Sequence, residues 1–130
     1  MLSPRVLVIG GGIGGLSTAI ALNRAGIPAA VYERAPELRE VGAGITIWTN
    51  ALKVLRKLGV GPAVEASSTP LRQSEMRTWR GELLNEMDMS ELGTKFGAPT
   101  VGIHRADLQA ALADHLGRDK IILGAACVGY

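Results

Sequence analysis

The stretch RVLVIGGGIGGLSTAIALNRAGIPAAVYER, residues 5–34, decides the fold. Val6 to Ile9 form a short apolar run rich in β-branched residues and stopped by Gly10, the pattern of a strand buried on both faces of a parallel sheet. Ile13, Leu16, Ala19, Ile20 and Ala21 then recur at helical spacing as far as Arg24, and Gly26 with Pro28 supplies the stop. Ala29-Ala30-Val31-Tyr32 resumes the apolar run and ends in Glu33-Arg34. Strand, helix and strand close within the length of one βαβ unit, whose crossover is right-handed. The fold class expected is α/β, with a Rossmann-like βαβ unit in a parallel sheet.

Between that strand and that helix lies Gly10-x-Gly12-x-x-Gly15, with further glycines at 11 and 14. Gly10 suits the tight turn off the strand, Gly12 the close approach of backbone N–H groups to a pyrophosphate, and Gly15 the close packing of helix on sheet. The phosphates of such a ligand sit at the helix N-terminus, where unpaired N–H groups and the dipole favour negative charge. Glu33 stands at the end of the second strand, where a carboxylate accepts hydrogen bonds from ribose hydroxyls. Dinucleotide binding follows from the three features together. The glycines alone would not establish it.

A plain nicotinamide dehydrogenase would continue with another helix and strand directly after Glu33. This chain instead runs through Pro36, a polar turn over 37–40, and the glycine-rich extended segment Val41–Ile47. Asn50 is placed to cap a helix with Ala51, Leu52, Val54, Leu55 and Leu58 inward, Lys53, Arg56 and Lys57 outward, and Gly59 at its end. Residues 60–74 read as loop, and 75–80 with 83–89 as a small β-hairpin around Arg80-Gly81-Glu82. Arg105 to Leu116 is a second amphipathic helix ended by Gly117, and Lys120–Gly124 returns as a third parallel strand.

At 130 residues, one domain is expected. The net charge of +2 is spread over scattered Lys and Arg, so no nucleic-acid footprint is seen. Val6–Ile9 is too short for a signal-peptide core, and no apolar stretch approaches the roughly 20 residues of a membrane span. A soluble cytoplasmic protein without a membrane partner is the expectation. Cys127, the single cysteine, has no zinc spacing around it and is expected as a buried thiol; Trp48 and Trp79 are expected to pack, and His104 to be a hydrogen-bonded structural residue. No metal site and no nucleophile–base pair is visible, so no catalytic residue is assigned.

Three segments, GGGIGGLSTAIALNRAGI (10–27), VYERAPELREVGAGITIWTNALKVLRKLGV (31–60) and GIHRADLQAAL (102–112), resemble the start of class A FAD-dependent monooxygenases, in the same order. The resemblance implies FAD rather than NAD. It implies that Gly10, Gly12, Ile13, Gly14 and Gly15 form the pyrophosphate turn, and that Glu33 holds the adenosine ribose with Arg34 beside the adenine. Gly44, Ile45 and Thr46 would lie near the flavin, Arg105 would reach the cofactor from its helix start, and Val128 would offer backbone contacts to adenine. The family's usual proline before the second helix is replaced by Thr49.

The activity so implied is hydroxylation of a small aromatic substrate with O₂, NAD(P)H being the reductant. The later cofactor-contacting segments and the substrate domain of that family are not in these residues. The fold is therefore expected to be incomplete relative to the family, its remainder belonging to a longer chain or to the other part of a split protein. A non-catalytic dinucleotide-binding remnant, or part of another FAD-dependent oxidoreductase, are the alternative readings.

Overall fold

The computed structural model describes residues 5–38 and 42–129. In chain order the elements are β1 (Val6–Ile9), α1 (Ile13–Arg24), β2 (Ala29–Tyr32), β3 (Gly44–Ile47), α2 (Thr49–Leu58), α3 (Gly61–Ala66), β4 (Ser68–Pro70) and β5 (Gln73–Arg77). They continue with β6 (Leu83–Asp88), α4 (Met89–Phe96), β7 (Val101–His104), α5 (Arg105–Leu116), a 3₁₀ turn over Arg118–Lys120, and β8 (Ile121–Ile122).

The βαβ unit forms as its pattern requires. β1 and β2 run parallel in the register Val6↔Ala29 to Ile9↔Tyr32, and β8 joins the other edge of β2 in parallel, Val31 opposite Ile121. The sheet order is β1-β2-β8, with β2 in the middle and its Ala29, Ala30 and Val31 buried. A second, antiparallel sheet has the order β3-β7-β4, and β5 and β6 form a separate hairpin with a register shift at Met76/Arg77. Leu16 and Ile20 of α1, Leu52 of α2, Val64 of α3 and Leu108 and Leu112 of α5 meet Val31 and Ile103 in one continuous core. That core joins the two sheets and so fixes the glycine turn relative to the start of α5.

Several sequence expectations are corrected. β1 is not buried on both faces: Leu7 and Ile9 are 55% and 58% exposed, while Val6 and Val8 pack against the core. The helix after β3 starts two residues early, at Thr49, with Trp48 rather than Asn50 as N-cap; the Thr49 hydroxyl instead donates to the Ala98 carbonyl at 2.9 Å. Val54 faces outward, since only Leu52 and Leu55 lie centrally on the buried stripe, and Ala21 likewise lies on the outer side of α1. Residues 60–74 are not a loop throughout, because Val60 and Val64 are buried and anchor α3, and β4 pairs with β7.

Cys127, Trp48, Trp79 and His104 are also exposed rather than packed, and the His104 imidazole makes no hydrogen bond among the described residues. Trp79 sits at the tip of a hairpin, 89% exposed with the Arg80 guanidinium 4.8 Å from its ring centroid, and Cys127 follows β8 in an irregular segment. The turn over 37–40 and the segment from Val41 fall partly on residues 39–41, outside the described residues.

Candidate functional site

At the C-terminal end of β1 the chain turns at Gly10, whose N–H donates to the Tyr32 carbonyl at 2.8 Å, and enters α1 through Gly12. Gly12 is the N-cap, in extended conformation with φ −75° and ψ 177°. It offers no side-chain cap, and the first turn of α1 contains no acidic residue. The N–H groups and the positive end of the dipole are thus left for an external anion. Gly15 explains how the helix comes so close to the strand: a Cβ there would stand 1.9 Å from the Gly10 carbonyl oxygen, so no other residue fits.

Glu33 reaches back over this turn. Its carboxylate accepts the Gly11 N–H at 2.6 Å on one oxygen and the Ala35 N–H at 2.8 Å on the other. The bonds from Ala35 and then Gly11 hold the carboxyl below its ordinary range, with burial opposing and the Arg34 charge assisting. A carboxylate has about four acceptor positions, so two remain for a ligand. From the opposite side Gln109 of α5 donates through Nε2 to the Gly11 carbonyl at 2.8 Å. Sequence reasoning missed both grips on Gly11. The only signal for Gln109 was its place one helical turn after Arg105, within the segment 102–112 that carried the resemblance.

The structure gathers Gly12, Ile13, Glu33 and Arg105 around one concavity of about 260 Å³, with Gln109 and Leu38. Gly42, at φ +151°, lets the Arg105 side chain cross it; a Cβ at Gly42 would lie 3.2 Å from Cβ and Cδ of Arg105. A second concavity, about 330 Å³, lies beyond the same carboxylate between Gly10, Arg34 and Ala125–Cys127. The segment after β8 is tied there by Ala125 N–H to the Glu33 carbonyl at 2.9 Å and Gly124 N–H to the Ala35 carbonyl at 2.8 Å. Val128 lies outside it and is 98% exposed. Gly44, Ile45 and Thr46 line a third concavity with His104 on the β3-β7-β4 sheet, apart from the first. Gly14 lies exposed on the first turn of α1 and lines none of these three concavities.

An uncapped helix N-terminus, a carboxylate at the end of β2 and a guanidinium across the gap suit the pyrophosphate and ribose of an adenine dinucleotide. The chain belongs to the family described as FAD binding domain, whose model matches residues 4–121. It is 43% identical over 125 residues to the aurachin C monooxygenase/isomerase of Stigmatella aurantiaca, covering 96% of this chain and 33% of that protein. To the FAD-dependent urate hydroxylase of Klebsiella pneumoniae it is 39% identical over 121 residues, 92% of this chain and 32% of that one. The crystal structure of Klebsiella pneumoniae HpxO complexed with FAD and uric acid matches with a TM-score of 0.82 at 38% identity, over 92% of this chain and 30% of that chain.

These findings bear out the resemblance to class A flavoprotein monooxygenases, the α/β class, and FAD as the dinucleotide. The chain spans about a third of the length of the curated relatives it matches. Among the described residues, no helix is long and apolar enough to cross a membrane.

Proposed function

We propose that this chain is the N-terminal FAD-binding portion of an NAD(P)H-dependent flavin monooxygenase, and that the complete protein hydroxylates a small aromatic or heteroaromatic substrate with O₂. The observation that carries this is the family match over residues 4–121 together with relatives whose names are those of a monooxygenase and a hydroxylase. The shared names also favour it over another class of FAD-dependent oxidoreductase.

In this reading the chain holds and orients the ADP half of the cofactor. N–H groups of Gly12, Ile13 and Gly14 receive the pyrophosphate, with the Arg105 guanidinium on its other side. The free acceptor positions of Glu33 take the ribose hydroxyls, and Arg34 with the Ala125–Val128 segment flanks the adenine. Gly44, Ile45 and Thr46 line the way to the flavin; a Cβ at Gly44 would meet nothing nearer than the Ile103 carbonyl oxygen at 3.7 Å, leaving space for a flat ring. The bound flavin would supply the electron transfer from nicotinamide to O₂ that hydroxylation needs. Substrate-selecting groups would come from the part corresponding to the remaining two thirds of the relatives. The open face of β1 at Leu7 and Ile9 supports such a covering layer.

FAD fluorescence titration of the 130-residue chain tests the reading, with ADP and NAD⁺ as competitors. Weak binding is expected, because a half-built site leaves the flavin ring in water. Glu33→Ala is expected to weaken it at least about tenfold, since hydrogen bonds to a charged group contribute about 1.5–3 kcal/mol. Indifference of FAD to Glu33→Ala, or a preference for NAD⁺ over FAD, would overturn the assignment.

A further inference from the structure

Gly11 sits between two peptide planes, and each is tied to a distant element. The Gly10–Gly11 plane is held through its N–H by Glu33 at the end of β2, and the Gly11–Gly12 plane through its carbonyl by Gln109 on α5, 98 positions along the chain. In a planar trans peptide the N–H points away from the C=O. The bond from Gln109 therefore also decides where the Gly12 N–H points, and that N–H has no backbone or side-chain acceptor among the described residues. Two successive glycines place almost no steric limit on their φ and ψ, so without a tie this plane is free to turn over.

We propose that Gln109 is a positioning residue for the cofactor's pyrophosphate: by donating to the Gly11 carbonyl it sets the Gly11–Gly12 plane so that the Gly12 N–H faces the phosphate. The inference rests on the FAD-binding reading above. The chemistry of the side chain suits the task. A primary amide donates to the carbonyl without adding charge beside an anion, whereas a carboxylate of the same length would oppose both the carbonyl oxygen and the phosphate. Gln109 lines the same concavity as Gly12 and Arg105. One helix thus brings both the cation for the phosphate and the clamp that orients the turn. The ribose end depends on Glu33 and not on Gln109, which separates the two effects.

The test is a titration of the ¹⁵N-labelled chain with ADP and, separately, with adenosine, followed at the Gly12 amide and repeated for Gln109→Met, Gln109→Lys and Gln109→Glu. In the unaltered chain the Gly12 amide resonance should shift with ADP and stay in place with adenosine. Gln109→Met keeps the length and packing but removes the donor, and should weaken ADP about 3- to 10-fold, the range of one net hydrogen bond, with adenosine unchanged. Gln109→Lys, which restores a donor, should recover part of that loss, and Gln109→Glu should lose most. The dispersion of each spectrum reports whether the variant is folded. ADP binding by Gln109→Met equal to that of the unaltered chain, equal losses for ADP and adenosine, or no recovery with Gln109→Lys would each overturn the proposal. Failure of the unaltered chain to bind ADP, or ADP binding indifferent to Glu33→Ala, would overturn the FAD reading beneath it.

Discussion

At Glu33 the carboxylate is engaged before any ligand arrives, by the N–H groups of Ala35 and Gly11. This links the proposed ligand site to stability. Because these bonds lower the folded-state pKa of Glu33, they stabilise the fold fully above its ordinary value of 4.5, and that contribution is lost as pH falls through the depressed folded value. Thermal melts across the acid range should therefore show a steeper loss in the unaltered chain than in Glu33→Gln, which cannot titrate. Parallel acid limbs for the two would mean that the bonds seen at Glu33 contribute nothing to folding.

Among the elements, α4 was not anticipated, yet its ends follow ordinary rules. Asp88 accepts the Glu91 N–H at 2.9 Å as a side-chain N-cap, and Gly97 closes the helix at φ +79°. The short helix connects the exposed hairpin to β7 and hence to Arg105, so its cap bears on the site indirectly. Asp88→Ala should cost about 1 kcal/mol, the usual effect of losing such a cap, while Asp88→Ser, which can still accept the bond, should cost much less. Urea denaturation of the two variants measures the difference. Equal losses would show that the Asp88 cap is not what holds α4.

For the whole molecule, the notable feature is the apolar surface left outside the core. Leu7 and Ile9 are exposed on one face of the parallel sheet, and Met76, Leu84 and Trp79 are exposed on the hairpin. Large apolar side chains left open to water in this way favour association. The chain should self-associate at high concentration, and the pair Leu7→Thr with Ile9→Thr, which places a β-branched residue at both strand positions, should reduce this with a small change in melting temperature. Sedimentation velocity provides the reading. Unchanged association in the double variant would place the sticky surface elsewhere, on the hairpin.

The local pattern of residues 5–34 was sufficient for β1, α1 and β2, and for the ligand class, because a βαβ unit is short and each of its signals is local: an apolar run, helical spacing, glycines at a turn and an acid at a strand end. α2 and α5 were legible for the same reason, through their apolar stripes and the glycines that end them. Local pattern could not show that β1 has one open face, that 60–70 forms α3 and β4, or that Cys127 and both tryptophans are exposed, since burial depends on which elements meet. Nor could it show Gly11 held by Glu33 and Gln109. Those bonds join positions 22 and 98 residues apart: the parallel pairing of β1 with β2 brings Glu33 to the glycine turn, and packing of α5 against α1 brings Gln109 to it.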